Sequence, residues 1–118
     1  MEEAEQVVRR FFDVMNRHDD ADLPGLFTDS IEMVIGPETA RGIAEVRQFV
    51  LQDPPDLRIT SEPEEIVASG DHVVASFQRL QFWRASGELA VDESLWAAFT
   101  IANGRISRAE LLREPPPP

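Results

Sequence analysis

The sequence predicts an α+β fold. Two observations carry this reading. Before residue 52 the apolar residues recur mostly at helical spacing, and from residue 57 onward they alternate in long segments separated by short polar turns. Helices followed by a meander of long antiparallel strands form an α+β arrangement, because each layer has one apolar face to bury against the other.

Glu2 to Arg17 is the clearest element. Ala4, Val7, Val8, Phe11, Phe12 and Met15 fall on one stripe of a 3.6-residue helix. The early glutamates suit the positive end of the helix dipole and Arg17 the negative end. Asn16 to Asp20 is polar and breaks the stripe, and Asp20 or Asp22 then caps a short helix carrying Leu23, Leu26 and Phe27. Ile31, Met33 and Ile35 form a short strand that Gly36-Pro37 ends, and Gly42 to Leu51 is a helix with Ile43, Val46, Phe49 and Val50 on its apolar side. Asp53-Pro54-Pro55 stops it, since the residue before a proline is pushed out of the helical region.

The remainder reads as strand. Leu57 to Ser69 is interrupted by Pro63, which implies an edge or a bulge, because proline has no N–H to give a ladder. Ser69-Gly70-Asp71 turns into a strand from His72 to Arg84. Ala85-Ser86-Gly87 turns into a strand from Glu88 to Ala102. Asn103-Gly104 is a strong hairpin signal, and Arg105 to Glu114 is the last strand. Residues 1–114 are one domain, and Pro115 to Pro118 make a short extended tail.

Composition excludes whole classes of chemistry. Lys and Arg number 11 against 22 Asp and Glu, a formal charge of -11. That disfavours nucleic acid and anionic membranes as partners. The absence of Cys removes thiolate nucleophiles and thiolate metal sites. Every basic residue is Arg, so there is no lysine for a Schiff base, and the absence of Tyr leaves no phenol as acid. Two distant His do not make a transition-metal site. The expectation is a protein without metal or cofactor. The acidic start and the lack of a long apolar run point to a cytoplasmic chain, and the all-Arg usage hints at a GC-rich bacterial genome.

The order of elements resembles the nuclear transport factor 2 superfamily, and within it the SnoaL-like proteins. The residues that carry the resemblance run through nearly the whole chain. They are Phe11-Phe12 with Asn16 and Asp19, then Leu26-Phe27-Thr28-Asp29, then Gly42 with Ile43, Val46 and Phe49. Gly70-Asp71-His72-Val73-Val74-Ala75 and the run from Ala98 to Ile106 complete the set. The fold implied is a strongly curved antiparallel sheet forming a cone closed by the N-terminal helices, the cystatin-like α+β barrel. Such a cone holds a small, mainly apolar molecule, and members commonly dimerise through the outer sheet face.

The acid/base sets of the family's branches do not carry over. Ketosteroid isomerase-like members use a Tyr and two carboxyls at positions falling near Phe11, near Val34 or Ile35, and near Ala97. Limonene-epoxide-hydrolase-like members use an Arg, an Asp and a second Asp near Gln78, Leu80 and Leu111, and a SnoaL-type cyclase uses an Asp near Leu111. A register shift of one brings Arg79 and Gln81 to the first two positions and Glu110 to the last.

Strand parity supplies other candidates, because residues two apart share a face. If Phe99 faces the cone interior, so do Ala97, Leu95 and Glu93; if Val74 does, so do Ser76, Gln78 and Leu80. The expected wall is Phe12, Met15, Ile35, Phe49, Ser76, Gln78, Leu80, Leu95, Ala97, Phe99 and Leu111. Gln78 is the expected polar contact and Glu93 the weak catalytic candidate, its pKa raised by apolar walls. Trp96 and Ala98 fall on the outer face, with Ala75 and Phe77 placed beside them as a homodimer surface. A cofactor-free isomerase, cyclase, dehydratase or hydrolase, a binding module without turnover and an interaction scaffold all fit this reading.

Overall fold

The computed structural model describes residues 3–18, 20–51 and 53–116. Helix α1 spans Glu3–Arg17 and is followed by a 3-10 turn at Asp20–Asp22 and the single-turn helix α2, Leu23–Leu26. Strands β1 (Phe27–Ile35) and β2 (Glu38–Arg41) precede α3 (Gly42–Leu51). Strands β3 (Leu57–Ser69), β4 (His72–Trp83), β5 (Leu89–Ala102) and β6 (Arg105–Leu112) complete the chain. Among the described residues the strands form one curved sheet in the order β2-β1-β6-β5-β4-β3. It is antiparallel except for the β1–β6 pair, which is parallel.

The expected elements are present, with local differences that have physical reasons. Phe27 opens β1 rather than closing α2, and its side chain is fully buried there. Strand β2 was not expected. Gly36, at φ 59°, lets the chain reverse, and Glu38 to Arg41 then pair back on β1. Asp22 stands at the start of α2 without capping it through its side chain; its carboxylate instead lies 3.9 Å from Arg10 and 3.7 Å from Arg17. Asp19 and the ends of the chain at Glu2, Pro117 and Pro118 lie outside the described residues, as does the side chain of Asp20. The Pro63 irregularity is a bulge between Pro63 and Glu65 on the edge strand β3, where a missing N–H costs least. Asn103 (φ 54°) and Gly104 (φ 76°) make the tight reversal between β5 and β6, the mirror-image turn that matches strand twist.

The concave face of the sheet holds the core. Phe11 and Phe12 of α1 enter it, with Phe11 5.2 Å from Phe99 and 6.1 Å from Phe27, and Phe12 5.2 Å from Phe77, all between ring centroids. The facing β4–β5 pairs are Val73 with Phe99, Ala75 with Ala97, Phe77 with Leu95 and Arg79 with Glu93. Their buried members fix the inward parity of both strands. Val46 attaches α3 to the same core and is fully buried.

Phe99 is touched by both α1 rings and is 2% exposed. Phe99→Ala is expected to cost about 3–5 kcal/mol, the usual loss for a buried phenylalanine. Urea unfolding checks this; a loss within 1 kcal/mol of zero would mean the cluster does not anchor α1.

Candidate functional site

The core does not fill the concave face. Between the C-terminal half of α1, α3 and the sheet lies a cavity of about 160 Å³. Met15, Met33, Ile35, Phe77, Ala97 and Leu111 contribute most of its apolar wall alongside the Phe11, Phe12 and Phe99 rings. Phe49 of α3, 39% exposed, stands at the lip. The volume is on the scale of cavities that accept a benzene-sized ring.

Five polar residues interrupt this apolar wall: Asn16, Asp53, Ser61, Arg79 and Glu110. Asn16 ends the apolar run of α1 and docks on the backbone of β3. Its Nδ2 donates to the Ser61 carbonyl at 2.7 Å, and the Ser61 N–H donates to its Oδ1 at 2.8 Å. Both groups are thereby satisfied where water is scarce. Asp53 follows α3 with its side chain 10% exposed. Its Oδ2 accepts the Ile59 N–H at 3.1 Å, and its Oδ1 lies 3.2 Å from His18 Nε2. Arg79 reaches from β4 to Glu93 on β5, donating from Nε at 3.2 Å and Nη2 at 2.9 Å to one carboxylate oxygen, while Arg113 donates to the other at 3.2 Å. Partial burial pushes the Glu93 carboxyl up, but the hydrogen bonds and charge of Arg79, then of Arg113, outweigh it and hold the pKa below the usual carboxylate value.

The expected wall divides by strand. Phe12, Met15, Ile35, Phe49, Ala97, Phe99 and Leu111 line the cavity, and Leu95 faces inward but is packed beneath it in the core. Ser76, Gln78 and Leu80 are corrected. They lie on the opposite face of β4, because Val73, Ala75 and Phe77 are the buried set. Gln78 is held there by Asp92 and accepts from Ser94 Oγ at 3.0 Å. Ala75 and Phe77 are correspondingly not on the outer surface with Trp96. Glu93 shares the face of Leu95 and pairs with Arg79 but does not line the cavity, and its pKa is lowered and not raised, because two guanidinium groups meet it. His18 has a carboxylate neighbour, and His72 is exposed.

Asp53 was missed as a cavity residue, and Arg79 entered only through a register shift of one. Asp53 was read only as a helix stop. Arg79 was recoverable: the set Val73, Ala75, Phe77 is wholly apolar, whereas Val74, Ser76, Gln78, Leu80 is mixed, and the apolar set belongs inside. Among the described residues no group of three or more His, Asp or Glu side chains is placed to hold a metal ion.

The sequence profile of the SnoaL-like domain matches residues 8–109. The chain belongs to the SnoaL-like domain family. A search of curated proteins finds no match. Solved structures similar to this SnoaL-like domain include an NTF2-like protein from Burkholderia pseudomallei, with a TM-score of 0.82, 20% identity, and 97% of this chain and 92% of that one covered. A LEH-like epoxide hydrolase from M. tuberculosis superimposes with a TM-score of 0.77 at 18% identity, over 92% of this chain and 80% of that one. A Jannaschia protein assigned as a SnoaL-like polyketide cyclase gives 0.78 at 19% identity, over 93% and 84%. At these identities the likeness is one of fold. In this SnoaL-like domain the register shift of one is the one β4 adopts, with Arg79 inward. On β6 Ala109, Glu110 and Leu111 all border the cavity, but Ala109 is the buried residue of the three and the Glu110 carboxylate pairs with Arg108 at 3.0 Å.

A lowered carboxyl pKa contributes stability that is present above the unfolded value, about 4.3 for Glu, and is lost as pH falls through the folded value. The melting temperature of the wild type should therefore exceed that of Glu93→Gln near neutral pH, and the gap should close on acidification below about pH 4. A pH-independent gap, measured by thermal melts from pH 7 to pH 3, would show that the ion pairs do not stabilise the fold.

Proposed function

We propose that this SnoaL-like domain binds a small, mainly apolar molecule in the concave cavity and transforms it by acid/base chemistry without a cofactor. The observation that carries the reading is the cavity itself: aromatic and aliphatic walls interrupted by Asn16, Asp53, Ser61, Arg79 and Glu110. Pockets for small ligands combine an apolar lining with a few polar groups that fix orientation. Arg79 supplies a cationic contact for a carbonyl or anionic oxygen, strengthened by the low dielectric of the surrounding rings. The names of two similar structures, a polyketide cyclase and an epoxide hydrolase, agree with small-molecule chemistry.

A neutral aromatic probe, 2-naphthol, is expected to bind saturably in calorimetry. Ala97→Leu, which fills part of the wall, should weaken it by about tenfold, ~1.4 kcal/mol, while melting stays cooperative. Equal affinity in the two proteins would remove the cavity as the site.

The outer sheet face supports a second proposal, a homodimer. Trp96 and Val74 lie there, beside Val67, which is 54% exposed, and Pro115 and Pro116 border the groove between them. A stable dimer would bury on the order of 1,200–2,000 Å² across this face. Trp96→Glu should shift sedimentation toward the monomer, and a wild type already at 13.3 kDa at high concentration would end the proposal.

A further inference from the structure

We propose that Asp53 is the proton-accepting group of this cavity, and that His18 positions its carboxylate and links it to solvent. The proposal rests on the reading that the cavity holds a small apolar molecule. It names the group that acts on that molecule. Asp53 stands at none of the positions where the family resemblance puts an acid or a base.

The pair arises because two helices end side by side. Helix α1 ends at Arg17, and His18 takes a left-handed backbone (φ 54°) while its N–H donates to the Met15 carbonyl at 3.2 Å. That conformation is uncommon outside glycine but tolerated by His, and here it sets the ring against Asp53. Helix α3 ends at Leu51, and the Asp53-Pro54-Pro55 segment leads into β3. The Ile59 N–H fixes Oδ2 and His18 lies against Oδ1. Each carboxylate oxygen has two lone-pair sites, so one partner apiece leaves acceptor capacity for a ligand. Among the described residues the charged groups that face Asp53 are His18 from the end of α1 and Arg84 from the β4–β5 turn, the latter 3.8 Å from Oδ2.

Comparison with the other carboxylates singles Asp53 out. Glu93 has both oxygens taken by Arg79 and Arg113. Glu110 also borders the cavity, but its carboxylate is engaged by Arg108 at 3.0 Å. Asp53 lines the cavity, is 10% exposed, and is held in one orientation by a backbone donor. His18, 34% exposed, touches both this carboxylate and water, so a proton taken by Asp53 can pass to the imidazole and leave. The ligand class that follows is an apolar, ring-sized molecule with one activated C–H or O–H. That bond breaks, the proton goes to an Asp53 oxygen, and the electron pair stays on the ligand as an anion favoured by the positive charge of Arg79.

The test uses 5-nitrobenzisoxazole, whose base-catalysed opening needs no co-reactant. The base takes the C3 proton, the C–H pair forms the nitrile, and the N–O bond breaks to give a coloured nitrophenolate. The wild type is expected to turn it over saturably, and Asp53→Asn to lower kcat by about 10²-fold or more with KM little changed, the usual scale for a lost general base. Asp92→Asn, on the outer face, should behave as wild type. His18→Gln leaves the carboxylate and its Ile59 bond in place, and keeps the question open to experiment should Asp53→Asn fail to fold; it should shift the midpoint of the rate–pH profile. An unshifted profile overturns the role of His18. Undiminished kcat in Asp53→Asn, a loss confined to Glu93→Gln, or bound probe reacting no faster than with free acetate each overturns the role of Asp53 and leaves the cavity reading standing. A probe that neither binds nor competes with 2-naphthol overturns the cavity reading and this inference with it.

Discussion

The seating of the Phe11–Phe12 pair in the curved sheet is the constraint on which the rest of the molecule depends. Two adjacent residues of one helix reach different strands: Phe11 meets Phe27 of β1 and Phe99 of β5, and Phe12 meets Phe77 of β4 and Phe99. Edge-to-face and tilted ring pairs of this kind add about 0.5–1.5 kcal/mol each to the value of burial alone. They also fix rotation and translation of α1 along the sheet, since moving the helix by one residue would bring Asp13 or Arg10 where a ring now sits. With rotation fixed, the helix C-terminus has one destination. Asn16 lands on the Ser61 backbone and His18 beside Asp53.

The cavity is a consequence of the same geometry. A sheet that curves around a helix leaves space beyond the helix end unless large side chains fill it, and Ala97 and Ala109 face that space with little volume. Cores are otherwise packed to crystal-like density, so an unfilled volume bordered by buried polar groups is a costly feature for a domain of this size. Among the described residues the charges nearby are paired. Arg79 and Glu93, each 24% exposed at the side chain, satisfy one another across β4 and β5, with Arg113 closing the second carboxylate oxygen. Glu93 is therefore a fixed anion that holds Arg79 in place, while Asp53 is held mainly by a backbone donor and an imidazole.

The outer face of the sheet follows a different rule. On β4 and β5 it is a mixture of polar and apolar residues, with Gln78, Asp92 and Ser94 linked across the strands and Trp96 nearby. Proline at 115 and 116 cannot extend the β6 ladder, and these residues border the groove beside Trp96 instead. Alternation alone places Trp96 outside, but it could not place β4, because consecutive valines at 73 and 74 and an aromatic beside a glutamine leave two apolar-seeming phases.

The sequence by itself determined the order of the elements other than β2, their lengths to within a few residues, the one-faced helix α1, the tight turns at Gly70, Gly87 and Asn103-Gly104, and the inward phase of β5. These are local matters: periodicity, proline exclusion and positive φ act within a few residues of chain. Helix periodicity, strand parity and the family's cone together placed the apolar wall on Phe12, Met15, Phe99 and Leu111, which the structure brings to one cavity. Tertiary structure alone decided the parallel β1–β6 pairing, the partner of each charge, and the meeting of His18 with Asp53 across 35 residues of chain. Such contacts carry no local signal, because a helix stop before Pro54 and a left-handed residue after α1 satisfy their own neighbours equally well wherever the other one lies. Only the docking of α1, set by two phenylalanines on the concave sheet, brings them within 3.2 Å.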